Sequence, residues 1–316
     1  MKNLASALKF QVRGELRKLF AVTALLPLLL FAQPVSAQEP QDFSKIEVQT
    51  QKVGGNVYML TGAGGDIAVC VTGDGLMMVN SSFSQMSDKV EAAVKKLSDK
   101  PVHLVVDMHW HPGDTGGNAY FEKQGAVIAA HENARSIMIS GTMRDGVKYD
   151  PFAKEAIPTF TYTDRATFYW NGEEIRLMHY PHADTDGGTV VYFATSHVLH
   201  SGDSYRTDGF PIVDWEHGGS VKAVIAALED MIATYPPDTK VIPGHGPHPM
   251  TVADIKPYIE MLRDARGRVE KAVREGQTLD QMKKEKILSG YENYSHHVSF
   301  EHFTEVLYRE VSEKKE

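Results

Sequence analysis

The segment Val105-Val106-Asp107-Met108-His109-Trp110-His111-Pro112-Gly113-Asp114-Thr115-Gly116-Gly117-Asn118 constrains this chain more than any other. An apolar strand runs into two histidines at i and i+2, which strand alternation places on one face, and a glycine-rich turn opens a helix directly behind them. Two imidazoles on one face can bind a single cation. With fourteen histidines in the chain, an isolated pair reads by default as two surface residues. The turn into a helix separates this pair from the others. Trp110 points opposite to its flanking histidines and reads as core.

Around this segment the hydrophobic pattern describes two similar halves. Short β-type runs at 56–60, 66–71 and 75–79 form a meander, followed by a helix carrying Val90, Ala93, Val94 and Leu97 at helical spacing and by the apolar strand 102–108. A helix near Ala119, a strand at 127–130 and a helix from Glu132 continue the alternation. Strands at 166–170, 174–179 and 189–193 then make a second meander. Val221, Val224, Ile225, Leu228 and Ile232 mark an amphipathic helix, and Lys240–Ile242 a short strand ending in Pro243-Gly244-His245-Gly246. Strands, helix, strand, repeated, predict two sheets packed face to face with helices outside. Beyond Thr251 the pattern is helical, and no linker sets this tail apart.

The N-terminus reads as an export leader. Basic residues from Lys2 to Lys18 precede an apolar run, 19–31, and Val35-Ser36-Ala37 is a small-x-small cleavage pattern. The run is short for a membrane span and is broken by Pro27. We therefore expect residues 1–37 to be cleaved, 38–250 to form the domain, 251–316 to be a helical extension packed on it, and the product to be periplasmic or secreted without stable membrane insertion. A net charge of −8 without long charged runs argues against a nucleic-acid partner, which would call for a basic face, and leaves a small-molecule substrate. Cys70 is the single cysteine, so an intrachain disulfide is excluded, and its apolar run 67–71 reads as a buried strand.

His-Trp-His followed by Thr-Gly-Gly-Asn resembles the signature of metallo-β-lactamase-fold hydrolases. The resemblance extends through 83–101, Ala130-His131-Glu132-Asn133, Thr189-Val190-Val191-Tyr192-Phe193, His200-Ser201-Gly202-Asp203, Gly218-Gly219-Ser220 and Ile242-Pro243-Gly244-His245-Gly246, in the family's order. The tail Phe303-Thr304-Glu305-Val306-Leu307-Tyr308 is similar to that of an exported group within it. The resemblance implies an α/β fold, a four-layer αββα sandwich of two mixed β-sheets with outer helices. His131, at a helix start, resembles a family feature and equally fits a packed, hydrogen-bonded histidine.

The family's metal loop reads His-x-His-x-Asp-His, and here its last two positions are Gly113 and Asp114. The next family ligand, a histidine, aligns with Asp184; His182 lies two residues upstream as a substitute ligand or a supporting residue. Asp203 aligns with the bridging carboxylate and His245 with the last histidine. The resemblance thus implies a metal cluster of His109, His111, Asp114, Asp184, Asp203 and His245, with Asp114 and Asp203 in catalytic roles. The bland alternative for Asp114 and Asp184 is loop or helix capping. Tyr205 follows Asp203 and is either a substrate contact or an ordinary packed tyrosine. The cofactor implied is one or two divalent ions, zinc foremost, with manganese or iron favoured as oxygen ligands increase.

The chemistry implied is metal-dependent hydrolysis of an ester, lactone, amide or β-lactam-like bond at a modified, weakened site. A cation there polarises a carbonyl and lowers the pKa of water to about 7. The sequence contains no serine elbow or Cys-His pair that would argue for a covalent nucleophile. The alternative is a non-catalytic periplasmic ligand-binding protein that kept the fold, which Gly113 and Asp184 favour.

Overall fold

The computed structural model describes residues 41–313, of which 42–313 form one compact unit. The expected leader, 1–37, lies outside the described residues. Strands β1 (Gln49–Gly54), β2 (Val57–Thr61), β3 (Ile67–Thr72) and β4 (Gly75–Val79) form an antiparallel meander. Helix α1 (Ser87–Leu97) crosses over to β5 (Val102–Val106), which pairs parallel with β4. Short helices α2 (Pro112–Thr115) and α3 (Asn118–Glu122) lead to β6 (Val127–His131), parallel to β5, and α4 (Glu132–Ser140) follows. A small hairpin, β7 (Thr142–Arg144) and β8 (Val147–Tyr149), precedes β9 (Phe160–Tyr162), which closes the first sheet beside β6.

The second sheet repeats the plan. Strands β10 (Arg165–Trp170), β11 (Glu173–His179), β12 (Thr189–Phe193) and β13 (Val198–His200) are antiparallel. Helix α5 (Val221–Thr234), capped by Ser220, returns the chain to β14 (Lys240–Ile242), parallel to β13, with β15 (Met250–Thr251) at the edge. Parallel pairing of β4 with β5, and of β13 with β14, requires these crossover helices. Helices α6 (Ile255–Arg274), α7 (Leu279–Lys284) and α8 (Phe300–Ser312) complete the described chain.

Period-two alternation sorts the strand residues into layers. Ala68, Cys70, Met77, Val79 and Val106 face Ile175, Leu177, Val191, Phe193 and Ile242 between the sheets. On the outer side of the first sheet, Val69, Met78 and Val105 pack against Val90 and Val94 of α1. On the outer side of the second, Val190, Leu199 and Val241 share a cluster with Leu228 of α5, Leu262 of α6 and Phe303 of α8. The result is the four-layer αββα sandwich. Burial pushes the Cys70 thiol up to about 12, which suits packing and not a nucleophile.

Besides the short strands β9, β13 and β15 and helix α7, β1 and the β7–β8 hairpin escaped the hydrophobic pattern. Strand β1 is polar, with Gln49, Thr50, Gln51 and Lys52 exposed and only Val53 packed on the core, because an edge strand that covers little needs little apolar face. The β7–β8 hairpin is too short for periodicity, yet Asp145-Gly146 sits at its turn with both φ values positive, 50° and 75°, the conformation that Asp-Gly favours.

The Thr-Gly-Gly-Asn stretch is a packing device. A Cβ on Gly117 would collide with the Ser81 carbonyl oxygen. Asn118 Nδ2 donates to Asp107 Oδ2 at 2.7 Å and to the Ala156 carbonyl at 3.1 Å, while its Oδ1 accepts from Ser81 at 2.8 Å. Asn118→Ala leaves these buried groups unpaired, so we expect a loss of about 2–3 kcal/mol in denaturant unfolding. A change under about 0.5 kcal/mol would show the network to be dispensable.

Candidate metal centre

The sequence pattern places His109 and His111 on the strand, but β5 ends at Val106. Asp107 still pairs through its N–H with the Ala129 carbonyl at 2.8 Å; the Met108 N–H is then taken by the Asn80 side chain at 3.1 Å, and the ladder stops. The two imidazoles converge in a bend, ring centroids 4.3 Å apart and edge to face. Proline at the start of α2 turns the chain back, so that Asp114 Oδ2 reaches 3.2 Å from His109 Nε2. Asn80 Nδ2 donates to the other Asp114 oxygen at 2.9 Å. His109, His111 and Asp114, all buried, offer ligand atoms within 4.8 Å of one another.

The other candidates arrive on loops beyond strand ends. Asp184, between β11 and β12, sits with Oδ2 3.6 Å from His109 Nδ1. Asp203, in the turn after β13, lies 3.4 Å from Nε2 of His245, which follows β14. The Asp203 charge acts on both His109 and Asp184, tying this pair to the first group. His182 stays outside: its exposed side chain bonds the Gly218 carbonyl at 3.2 Å and lies 3.2 Å from Asp186. Tyr205 does not reach the centre as a substrate contact would; it is buried in the outer core, edge to face with Tyr258, its hydroxyl donating to the Asp254 carbonyl. His131 is the packed alternative, stacked on His179 and bonded to the Thr163 carbonyl.

Several buried polar atoms of the centre face one another without a well-formed hydrogen bond, His109 Nε2 toward Asp114, Asp184 Oδ2 toward His109 and Asp203 Oδ1 toward His245, with Asp66 Oδ2 nearby. Native interiors seldom leave such groups unpaired, and orphaned nitrogen and carboxylate oxygens facing one another are the donor set of a divalent cation. The electrostatics agree. Burial alone would lower the pKa of His109, but Asp114 and Asp184 outweigh it and lift the imidazole to about 10. Burial, with His109 beside it, drives His111 down to about 3, a neutral ring suited to a ligand. Burial raises Asp184, opposed by His109 and reinforced by Asp203; against the same burial, His245 holds Asp203 well below the carboxylate range.

A proton on His109 competes with any cation, so metal affinity is expected to rise with pH close to tenfold per unit between about pH 7 and 9, more steeply where Asp184 also gives up a proton. Chelator competition across that range reads the slope. A flat profile would show that His109 is not a ligand.

Sequence reading missed Asp214, Asp66 and Asn80. Asn80 occupies a left-handed turn, φ 67°, at the end of β4 and bridges Asp114 to the Met108 backbone. The Asp66 carbonyl accepts from the fully buried His200 at 2.9 Å. Neither lies in a stretch whose composition or periodicity signals function.

A family model described as the metallo-beta-lactamase superfamily matches residues 56–253. The chain belongs to this superfamily. Among solved structures, a metallo-beta-lactamase from Pontibacter korlensis superposes with a TM-score of 0.58 at 16% identity, covering 69% of this chain and 100% of that one. The DIM-1 metallo-beta-lactamase gives 0.56 at 17% identity, covering 70% of this chain and all of its own. Among curated proteins, a linear primary-alkylsulfatase from a Pseudomonas strain is 25% identical over 230 residues, 61% of this chain. The match spans 43% of that relative's length. The metallo-β-lactamase fold generally binds divalent metals, and the His109-His111-Asp114 group occupies the loop that carries its signature.

Proposed function

We propose that this superfamily member is an exported metal-dependent hydrolase of small molecules, acting on an ester, lactone, amide, β-lactam-like or sulfate-ester bond through a modified centre. The observation that carries the reading is the buried group of His109, His111 and Asp114, joined by Asp184, with orphaned ligand atoms directed into it. A bound divalent cation would supply Lewis acidity and acidify water. His109, His111 and Asp114 would hold it, with Asp184, Asp203 and His245 as further ligands. Asp203, kept anionic by His245, orients an attacking water by accepting its proton in a hydrogen bond. Zinc is the first candidate; the carboxylates among the ligands extend the range to manganese and iron. The sulfate ester enters through the alkylsulfatase relative.

Gly113 stands where the resemblance places a carboxylate, which motivates weak native turnover. No helix among the described residues is long and apolar enough to cross a membrane. Export is proposed from the basic, apolar and Val35-Ser36-Ala37 segments, and an exported product whose N-terminus is Met1 would refute cleavage.

The test is a panel of chromogenic β-lactam, lactone and carboxylic-ester substrates with a primary alkyl sulfate, assayed before and after chelation and after metal return. Hydrolysis of at least one, lost on chelation and restored by metal, is the expected result. Activity indifferent to chelation would defeat the metal mechanism. A metal-loaded protein inert to every substrate, yet binding one of them, would favour the ligand-binding alternative.

A further inference from the structure

We propose that Asp214 is the positioning residue of this centre, turning His111 so that Nδ1 faces the cation while joining the His111 and Asp184 segments to each other. The inference rests on the metal-centre reading above. Asp214 lies in the loop between β13 and α5, far in sequence from both segments, and is almost wholly buried. Its Oδ2 accepts from His111 Nε2 at 2.9 Å and from Trp110 Nε1 at 3.2 Å. Oδ1 accepts from His217 Nδ1 at 2.7 Å and from the His217 backbone N–H at 3.3 Å. The Asp214 N–H donates to the Asp184 carbonyl at 2.8 Å. One residue thus holds one candidate ligand by its side chain and another by its main chain.

An imidazole whose Nε2–H is committed to a carboxylate has its remaining lone pair on Nδ1, so the hydrogen bond selects both the tautomer and the ring face. The neighbours keep the carboxylate from turning away. His217 gives its Nδ1–H to Asp214 and its Nε2 lies 2.6 Å from Thr142 Oγ1, which holds the ring from its far side, and Arg144 of β7 stands with Nε 3.8 Å from Oδ2. This anchors the β7–β8 hairpin to the same carboxylate. The competing account is helix capping, since Asp214 precedes the short 3-10 turn 215–217. Asparagine caps as well as aspartate but offers a single acceptor oxygen, so the two roles separate on Asp214→Asn.

The experiment uses the full chain loaded with cobalt. Asp214→Asn is expected to fold with a lowered melting temperature, because its amide NH2 must face one of the buried N–H donors that the carboxylate accepted, and, measured below that transition, to bind cobalt 10–100-fold more weakly by chelator competition and to change the visible cobalt spectrum, since the ring geometry is released. Affinity within twofold of native and an unchanged spectrum would overturn the proposal and leave a cap. If the variant does not fold, imidazole nitrogen NMR on the zinc-loaded native protein decides: coordination of His111 through Nδ1 with a protonated Nε2 supports the proposal, and coordination through Nε2 overturns it. Failure of the native protein to take up metal would overturn the metal-centre reading itself, and this inference with it; metal uptake combined with an unaffected Asp214→Asn refutes the inference alone.

Discussion

His109→Ala is expected to lower hydrolysis by about 10³-fold or to background and to reduce bound metal to a small fraction of an equivalent. Removing a cation that supplies several kcal/mol of transition-state stabilisation costs about tenfold for each 1.4 kcal/mol. His109 has this weight because it is the point where the carboxylates meet: Asp114 lies 3.2 Å from one ring nitrogen and Asp184 3.6 Å from the other. Its loss also leaves two buried carboxylates without their neighbouring imidazole, and removing one partner of such a buried pair costs about 3–5 kcal/mol. The variant should therefore melt lower, and its metal content should be measured below its own transition. Tyr205→Phe, which loses only the bond to the Asp254 carbonyl and leaves both imidazoles, is the control and should keep its metal. A His109→Ala protein with native metal content and rate would remove the group from the centre.

The second large effect runs in the opposite direction. Gly113→Asp is expected to strengthen zinc binding and raise turnover at least tenfold, because it returns a carboxylate that fixes the attacking water. The backbone permits it: Gly113 lies within α2 and is absent from the left-handed region, and a Cβ there would meet Phe83 Cζ at 3.2 Å, the movable end of a half-buried ring. Asp184→His should add to the gain by returning an imidazole beside His109. Asp114→His should add less than its chemistry alone suggests. Asn80 donates to Asp114 Oδ1, and an imidazole that accepts this bond carries its proton on the nitrogen needed for the cation. The Asn80 amide would have to turn and surrender its bond to Met108. Zinc titration and the substrate panel, run on Gly113→Asp, on Gly113→Asp with Asp184→His, and on the triple variant, order these effects. A native protein with vigorous turnover, unchanged or reduced in all three, would show that Gly113, Asp114 and Asp184 form a specialised site instead of a weakened one.

The layered fold was legible because its strands alternate: Ala68 and Cys70 fall on one face, Ile67 and Val69 on the other, and burial follows that division on both sheets. Residues placed by polar bonds between distant segments were not legible in this way. The sequence brings His109 and His111 together by strand geometry, whereas the chain does so by ending the strand at Val106 and closing a bend with Asn80. Asp214 could not be singled out, since its role comes from contacts with His111, more than a hundred residues away, and nothing in its own neighbourhood repeats or alternates. Tyr205 illustrates the converse. Adjacency to Asp203 along a loop suggested the cleft, but the turn at 202–204 directs its ring under α6.

Elemental analysis of the full native chain, purified without chelator and replenished with zinc, manganese or iron before desalting, decides whether these residues hold a divalent cation. About one equivalent or more per chain is expected for at least one of these metals, retained on desalting and lost in His109→Ala. Native protein that emerges with less than about a tenth of an equivalent of every metal would contradict this expectation.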